Sequence, residues 1–240
     1  MTIREYFAGK EILVTGATGL VGRVLIEKIV HDLPEVKRVY VLIRSKSGRS
    51  GRMDSPEERL KREVLESSAF DRTRIKYGED FSTMVREKLV AVSGDLAKKN
   101  LGLDEPDLKR LQSRVGIIIN SAAVVSFDAP IGMALELNTL GPLRILEFAR
   151  GCKDAVVAHV STCYVNGTRE GIVSESPLDP KKDMSNSGEN YDVDQEVKAI
   201  SNRIRDIEER SHSCWRKMGF GAIRALGLSG DGRGNRSYEI

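Results

Sequence analysis

The sequence predicts an α/β fold with a doubly wound parallel sheet, and three observations carry that expectation. Short apolar runs alternate with stretches of helical period. The runs are apolar on both faces, as strands covered by helices on both sides must be. The first run ends directly in a glycine-rich turn that opens onto a helix.

Residues 12–15 form the first strand, and the turn Gly16-Ala17-Thr18-Gly19-Leu20-Val21-Gly22 follows at once. From Arg23 onward, Val24, Leu25, Ile26, Ile29 and Val30 recur near a 3.6-residue period, which predicts a helix. Residues 39–43 give a second strand, so strand, helix and strand fit within the roughly 30 residues of a βαβ unit. The polar stretch 45–78 is expected to be a surface excursion containing a helix over 55–66. Strands at 88–92, 115–120 and 155–160 complete the sheet. Between them helices are expected over 103–111, with Asp104 as N-cap, and over 133–149. The composition changes after Gly167: 179–190 reads as a mobile loop, 193–210 as a charged helix, and 226–240 as Gly/Arg/Ser-rich without periodicity.

Composition excludes several function classes. With 240 residues, 40% hydrophobic, 30% charged and a net charge of +3, the chain is an ordinary globular protein. Its basic residues are interleaved with acids, so nucleic acid is not an expected partner. Cys152, Cys163 and Cys214 lack the spacing of a zinc site and are odd in number, so neither a metal nor a disulfide framework is expected, and a cytoplasmic location fits. The N-terminus lacks a secretory signal and no apolar run reaches the ~18 residues of a membrane span. Peripheral membrane contact and oligomeric state stay open.

The chemistry concentrates at the expected carboxyl ends of the strands. In Gly16-x-x-Gly19-x-x-Gly22 the glycines would supply positive φ angles, close backbone approach and close helix packing, while the helix N–H groups at Leu20, Val21 and Gly22 meet a pyrophosphate. Thr18 lies in the same turn; the competing reading is a merely structural βα connection. After the second strand comes Arg44-Ser45-Lys46, with no acid to receive a ribose 2′-hydroxyl. Arg44 can form a charge-assisted contact to a 2′-phosphate, which favours NADPH; the alternative is two solvated surface bases. Asp95 can accept a hydrogen bond from an adenine amino group while Leu96 packs on the ring. Ala122 and Ala123 are small enough for the backbone to pass close to a cofactor. Ser161 and Thr162 end the fifth strand, where a hydroxyl can hydrogen-bond a substrate carbonyl or simply satisfy local backbone groups.

Together these segments resemble the alcohol-forming fatty acyl-CoA reductases of the extended short-chain dehydrogenase/reductase superfamily. The resemblance runs from about residue 7 to 227 and rests most heavily on Asn120-Ser121-Ala122-Ala123-Val124-Val125-Ser126-Phe127, Asn138-Thr139-Leu140-Gly141 and His159-Val160-Ser161-Thr162-Cys163-Tyr164-Val165-Asn166-Gly167. It implies a Rossmann fold, an NADP-binding domain over 1–167 and a partial substrate-side region over 168–240. It also implies reduction of a long-chain acyl-CoA to a fatty alcohol through the aldehyde, with Thr162 at the catalytic hydroxyl and Ser161 beside it. The family's Tyr-x-x-x-Lys pair is matched in spacing only by Tyr6 and Lys10, which precede the first strand. Counting onward from Ile223-Arg224-Ala225-Leu226-Gly227 would set the pair at Gly232 and Arg236, neither of which can substitute. The expectation is therefore a fold incomplete at the C-terminus, a truncated reductase with little turnover of its own. The rivals are another extended reductase, acting on a thioester or a sugar nucleotide, and a non-catalytic NADP-binding protein.

Overall fold

A computed structural model describes residues 1–47, 53–166, 170–175 and 192–225. The chain divides into two compact units, Met1–Val165 and Asn166–Ile240. The expected loop over 179–190 and the segment containing Gly227, Gly232 and Arg236 lie outside the described residues.

The first unit opens with a short helix, α1 (Ile3–Phe7), started by an N-terminal capping box between Thr2 and Glu5. Strand β1 (Glu11–Thr15) follows, then α2 (Leu20–Asp32) and β2 (Arg38–Ile43). A two-residue ladder pairs β3 (Lys46–Ser47) with β4 (Met53–Asp54). Helix α3 (Pro56–Arg59) continues into a π-helical turn, Leu60–Leu65. Two further helices, α4 (Asp71–Tyr77) and α5 (Phe81–Lys88), lead into β5 (Leu89–Ser93). Helix α6 (Glu105–Gln112) is capped by the Asp104 carboxylate, which accepts from Asp107 N as expected. Strand β6 (Ile117–Asn120) follows. The next helix starts as α7 (Ile131–Ala134), widens into a π-turn at Leu135–Thr139 and continues as α8 (Leu140–Arg150), before β7 (Val156–His159).

The five long strands form one sheet in the order β5-β2-β1-β6-β7, and every pairing is parallel. Chain order reverses between β1 and β6, so the crevice outside their carboxyl ends is the topological switch point. Alternation along the strands divides the core into two layers. Ile12, Val14, Val39 and Val41 pack with Ile26, Ile29 and Val30 of α2. Leu13, Tyr40 and Ile118 pack with Leu111, Ile145 and Phe148 on the other layer.

The stretch 45–78 departs from the expected surface excursion. Val64 and Phe70 are fully buried in the first core layer, and Thr73 is buried as well. Glu27 of α2, only 3% exposed, accepts hydrogen bonds from Arg72 Nε at 2.8 Å and Nη2 at 2.9 Å, and one from the Thr73 hydroxyl. A few apolar anchors among many charges escape a reading based on average polarity, yet they cover one face of the sheet.

In the second unit, α9 (Val193–Ala225) extends well past the expected 193–210. No proline interrupts 211–225, so nothing in the backbone chemistry forces an earlier stop.

Candidate functional site

The glycine turn joins β1 to α2 where the sequence puts it, with its three glycines in different backbone roles. Only Gly16 takes a positive φ, +72°. A Cβ there would lie 2.6 Å from the Ser121 carbonyl carbon and 2.7 Å from Ala122 N, so the turn presses directly on the exit of β6. Gly19 has φ −76° and Gly22 sits within α2, so these two serve close approach. A Cβ on Gly22 would meet Gly16 O at 2.2 Å. The Thr18 carbonyl accepts a hydrogen bond from Arg23 Nε at 3.0 Å, which pins the turn to the helix.

The N-terminus of α2 fits a bound pyrophosphate. Its N-cap, Gly19, offers no side-chain cap, and no acid stands in the first turn. The first N–H groups of this 13-residue helix are therefore left for an anion, with the helix dipole in support.

A cleft beside the turn is lined by Gly16, Thr18, Arg44, Asp95, Leu96 and Ala122. It thus gathers six of the predicted cofactor residues. It continues into a cavity of about 410 Å³ whose cations are Arg44, Lys46, Arg59 and Lys98. Arg59 was not singled out from the sequence. It is 8% exposed, donates to the Arg44 carbonyl, and holds Glu63 through Nε and Nη2, both at 2.8 Å. Those bonds keep the Glu63 carboxyl below its ordinary range. The available signal was local: the Ser55–Glu58 capping box starts a helix that pairs Arg59 with Glu63 one turn on. Asp95, which lines the cleft, accepts from Ala97 N at 3.0 Å through Oδ1 in a tight turn.

A second cavity, about 530 Å³, lies across Ala122 from the first cleft. Val21, Ala123, Ser161 and Thr162 line it, together with Phe127 and His159. Val125 and Phe127 are each 86% exposed, and Phe127 meets Tyr164 edge to face at 5.8 Å between ring centres. The loop bearing them is clamped by Asn138, whose side chain accepts from Val124 N at 2.8 Å and donates to Val124 O at 2.9 Å. The π-turn at Leu135–Thr139 carries that asparagine, and Arg144 donates to the Glu136 and Leu96 carbonyls beside it. Leu20 is 78% exposed and, with Gly19 and Gly22, lines neither cavity. The Thr162 hydroxyl accepts from Tyr164 N at 3.2 Å, which leaves its proton for another acceptor.

Tyr6 and Lys10 stand at the opposite end of the sheet. Gly9 N donates to Glu35 O and Lys37 N to Lys10 O, both at 2.9 Å, which sets this segment beside the amino ends of β1 and β2. They are remote from Ser161 and Thr162, as the sequence implied.

The all-parallel sheet, the glycine turn at its switch point and the paired cavities define a nicotinamide-dinucleotide-binding Rossmann domain of the extended short-chain reductase type. The chain belongs to the male sterility protein family, whose NAD-binding profile matches residues 14–213. It is 36% identical over 210 residues to fatty acyl-CoA reductase 1 of Arabidopsis thaliana, covering 86% of this chain and 42% of that protein. Fatty acyl-CoA reductase 1 of Mus musculus is 38% identical over 186 residues, covering 76% of this chain and 34% of the relative. The chain thus spans well under half the length of these relatives. Among solved structures, the terminal R domain of the myxalamid PKS-NRPS pathway superposes with a TM-score of 0.54 at 28% identity, covering 72% of this chain and 40% of that one.

Proposed function

We propose that this chain is the cofactor-binding portion of an NADPH-dependent reductase that converts a long-chain fatty acyl-CoA to the alcohol through the aldehyde. One observation carries the reading: a cation-lined cleft for the dinucleotide meets, at Ala122, a largely apolar cavity that bears the Ser161 and Thr162 hydroxyls. Bound NADPH would supply the hydride. Arg44 and Lys46, with Arg59 behind them, offer positive charge to a 2′-phosphate, and among the described residues Asp95 is the one acid lining that cavity. The N–H groups of α2 would hold the pyrophosphate, and Asp95 and Leu96 the adenine. Thr162 and Ser161 would donate to the substrate carbonyl and stabilise charge developing on its oxygen. Free cysteines at 152 and 163 suit a cytoplasmic protein.

A second reading draws on the lack of any Tyr-x-x-x-Lys spacing near the cavities: these 240 residues bind NADPH without efficient hydride transfer. Thermal unfolding of the purified chain with NADPH and with NADH tests the cofactor. NADPH is expected to protect more, and equal protection refutes the role of Arg44. Absorbance at 340 nm with NADPH and palmitoyl-CoA then separates the two readings. Oxidation at enzyme-like rates would overturn the second.

A further inference from the structure

The switch point holds a chain of side-chain hydrogen bonds that neither cofactor binding nor the Ser161–Thr162 pair requires. Thr15 ends β1, Asn120 ends β6 and His159 ends β7, and the three lie side by side across the sheet. The Thr15 hydroxyl donates to Asn120 Oδ1 at 2.5 Å and accepts from Ala122 N at 3.3 Å. Asn120 Nδ2 lies 3.0 Å from His159 Nδ1.

Burial gives this chain a direction. Thr15 and Asn120 are both 0% exposed. Reversing the Asn120 amide would set N–H against the Thr15 oxygen and strand the hydroxyl proton without an acceptor, where no water reaches it. The amide oxygen therefore faces Thr15 and its nitrogen faces the histidine. His159 Nδ1 must accept, so the neutral imidazole carries its proton on Nε2. That nitrogen has no protein partner among the described residues, while the exposed ring lines the 530 Å³ cavity with Ser161 and Thr162.

We propose that His159 is a substrate-recognition residue, presenting Nε2–H as a fixed donor to the carbonyl oxygen of the acyl substrate. Asn120 and Thr15 act as positioning residues that set its tautomer. The proposal rests on the reductase reading above and adds a third donor beside the two hydroxyls. It also accounts for the buried Thr15–Asn120 pair at the carboxyl ends of β1 and β6, where two matched polar side chains are costly unless their direction is used.

The test uses the whole 240-residue chain, whose three histidines allow resonances to be assigned by difference with His159→Gln. Long-range ¹H–¹⁵N correlation of the imidazole is expected to show His159 protonated on Nε2. Asn120→Asp, which offers an oxygen to Nδ1, is expected to move the proton there. An Nδ1–H form in the unaltered chain overturns the proposal. Palmitoyl-CoA titrated into the NADPH-saturated chain is expected to shift the Nε2–H resonance. His159→Phe is expected to weaken palmitoyl-CoA binding about five- to tenfold, the worth of one neutral hydrogen bond, with NADPH affinity unchanged. His159→Gln, which keeps a donor at similar reach, should recover part of that loss. Palmitoyl-CoA bound equally by the chain and by His159→Phe refutes the role of His159 and leaves the reductase reading standing. No palmitoyl-CoA binding at all overturns the role of His159, and NADPH binding by the same sample leaves the cofactor-binding portion of the reductase standing.

Discussion

Gly16→Ala and Gly9→Ala form a matched pair that isolates what the glycine turn does. Both residues have nearly the same φ, +72° at Gly16 and +69° at Gly9. An alanine at either site therefore incurs the left-handed penalty of about 1–2 kcal/mol. A Cβ on Gly9 meets nothing within 4 Å. On Gly16 it meets the Ser121 carbonyl carbon at 2.6 Å and Ala122 N at 2.7 Å, both backbone atoms that no rotamer change can move aside. Overpacking of that kind adds about 1–3 kcal/mol, giving about 2–5 kcal/mol for Gly16→Ala in total. For a chain of this size, the melting temperature should fall by about 2–8 °C for Gly9→Ala and by about 4–20 °C for Gly16→Ala. Urea unfolding followed by circular dichroism gives the same comparison as a shift in midpoint. In addition, NADPH should protect Gly9→Ala as it protects the unaltered chain, and protect Gly16→Ala far less. Equal destabilisation by the two substitutions would refute the claim that β1 and β6 meet through the absent side chain of Gly16.

Other outcomes follow from the same geometry. Arg44→Ala should weaken NADPH by about 1.5–3 kcal/mol, the worth of a charge-assisted hydrogen bond, and leave NADH unchanged, as titration calorimetry can read. At Glu27, burial alone would raise the carboxyl, but the hydrogen bonds from Arg72 and Thr73 and the Arg72 charge hold it below its ordinary value of 4.5. Its contribution to stability is thus fully present above about pH 4.5 and lost as pH falls through the depressed folded value. Glu27→Gln should cost about 1–3 kcal/mol at neutral pH and flatten the acid limb of the stability profile measured in urea. Burial pushes the Cys152 thiol up to about 11, whereas Cys163 is exposed. Iodoacetamide at pH 8 should therefore label Cys163 well before Cys152 in peptide mass maps.

Much of the sheet was legible because its strands are short, apolar on both faces and separated by helical periods, and all five appear within a residue or two of their expected positions. Gly16, Thr18, Arg44, Asp95, Leu96 and Ala122 converge on one cleft because each follows a strand at the same end of the sheet. The helices over 71–88 were not legible, since their buried contacts rest on a few residues such as Phe70, Thr73 and Met84 among many charges. The π-turns at Leu60–Leu65 and Leu135–Thr139 leave no mark in propensity, because widening a turn by one residue uses the same side chains as an ordinary helix. Arg59 escaped because it closes the cleft from 15 residues beyond Arg44. The Thr15–Asn120–His159 chain joins residues 105 and 39 positions apart, which no local pattern encodes.

The central place of β1 has a consequence for how the protein acquires its binding site. Thr15 leaves the ribosome 105 residues ahead of its register partner Asn120. Closing so long a loop carries its entropy cost before the pairing returns any stability, so the β1–β6 junction is a slow, long-range event. The βαβ unit from β1 to β2 can collapse early, but it has only one wall of the crevice. Dinucleotide affinity therefore arises with the β1–β6 pairing and not before. During synthesis or refolding, the first moment at which the chain holds its cofactor marks the closure of the sheet.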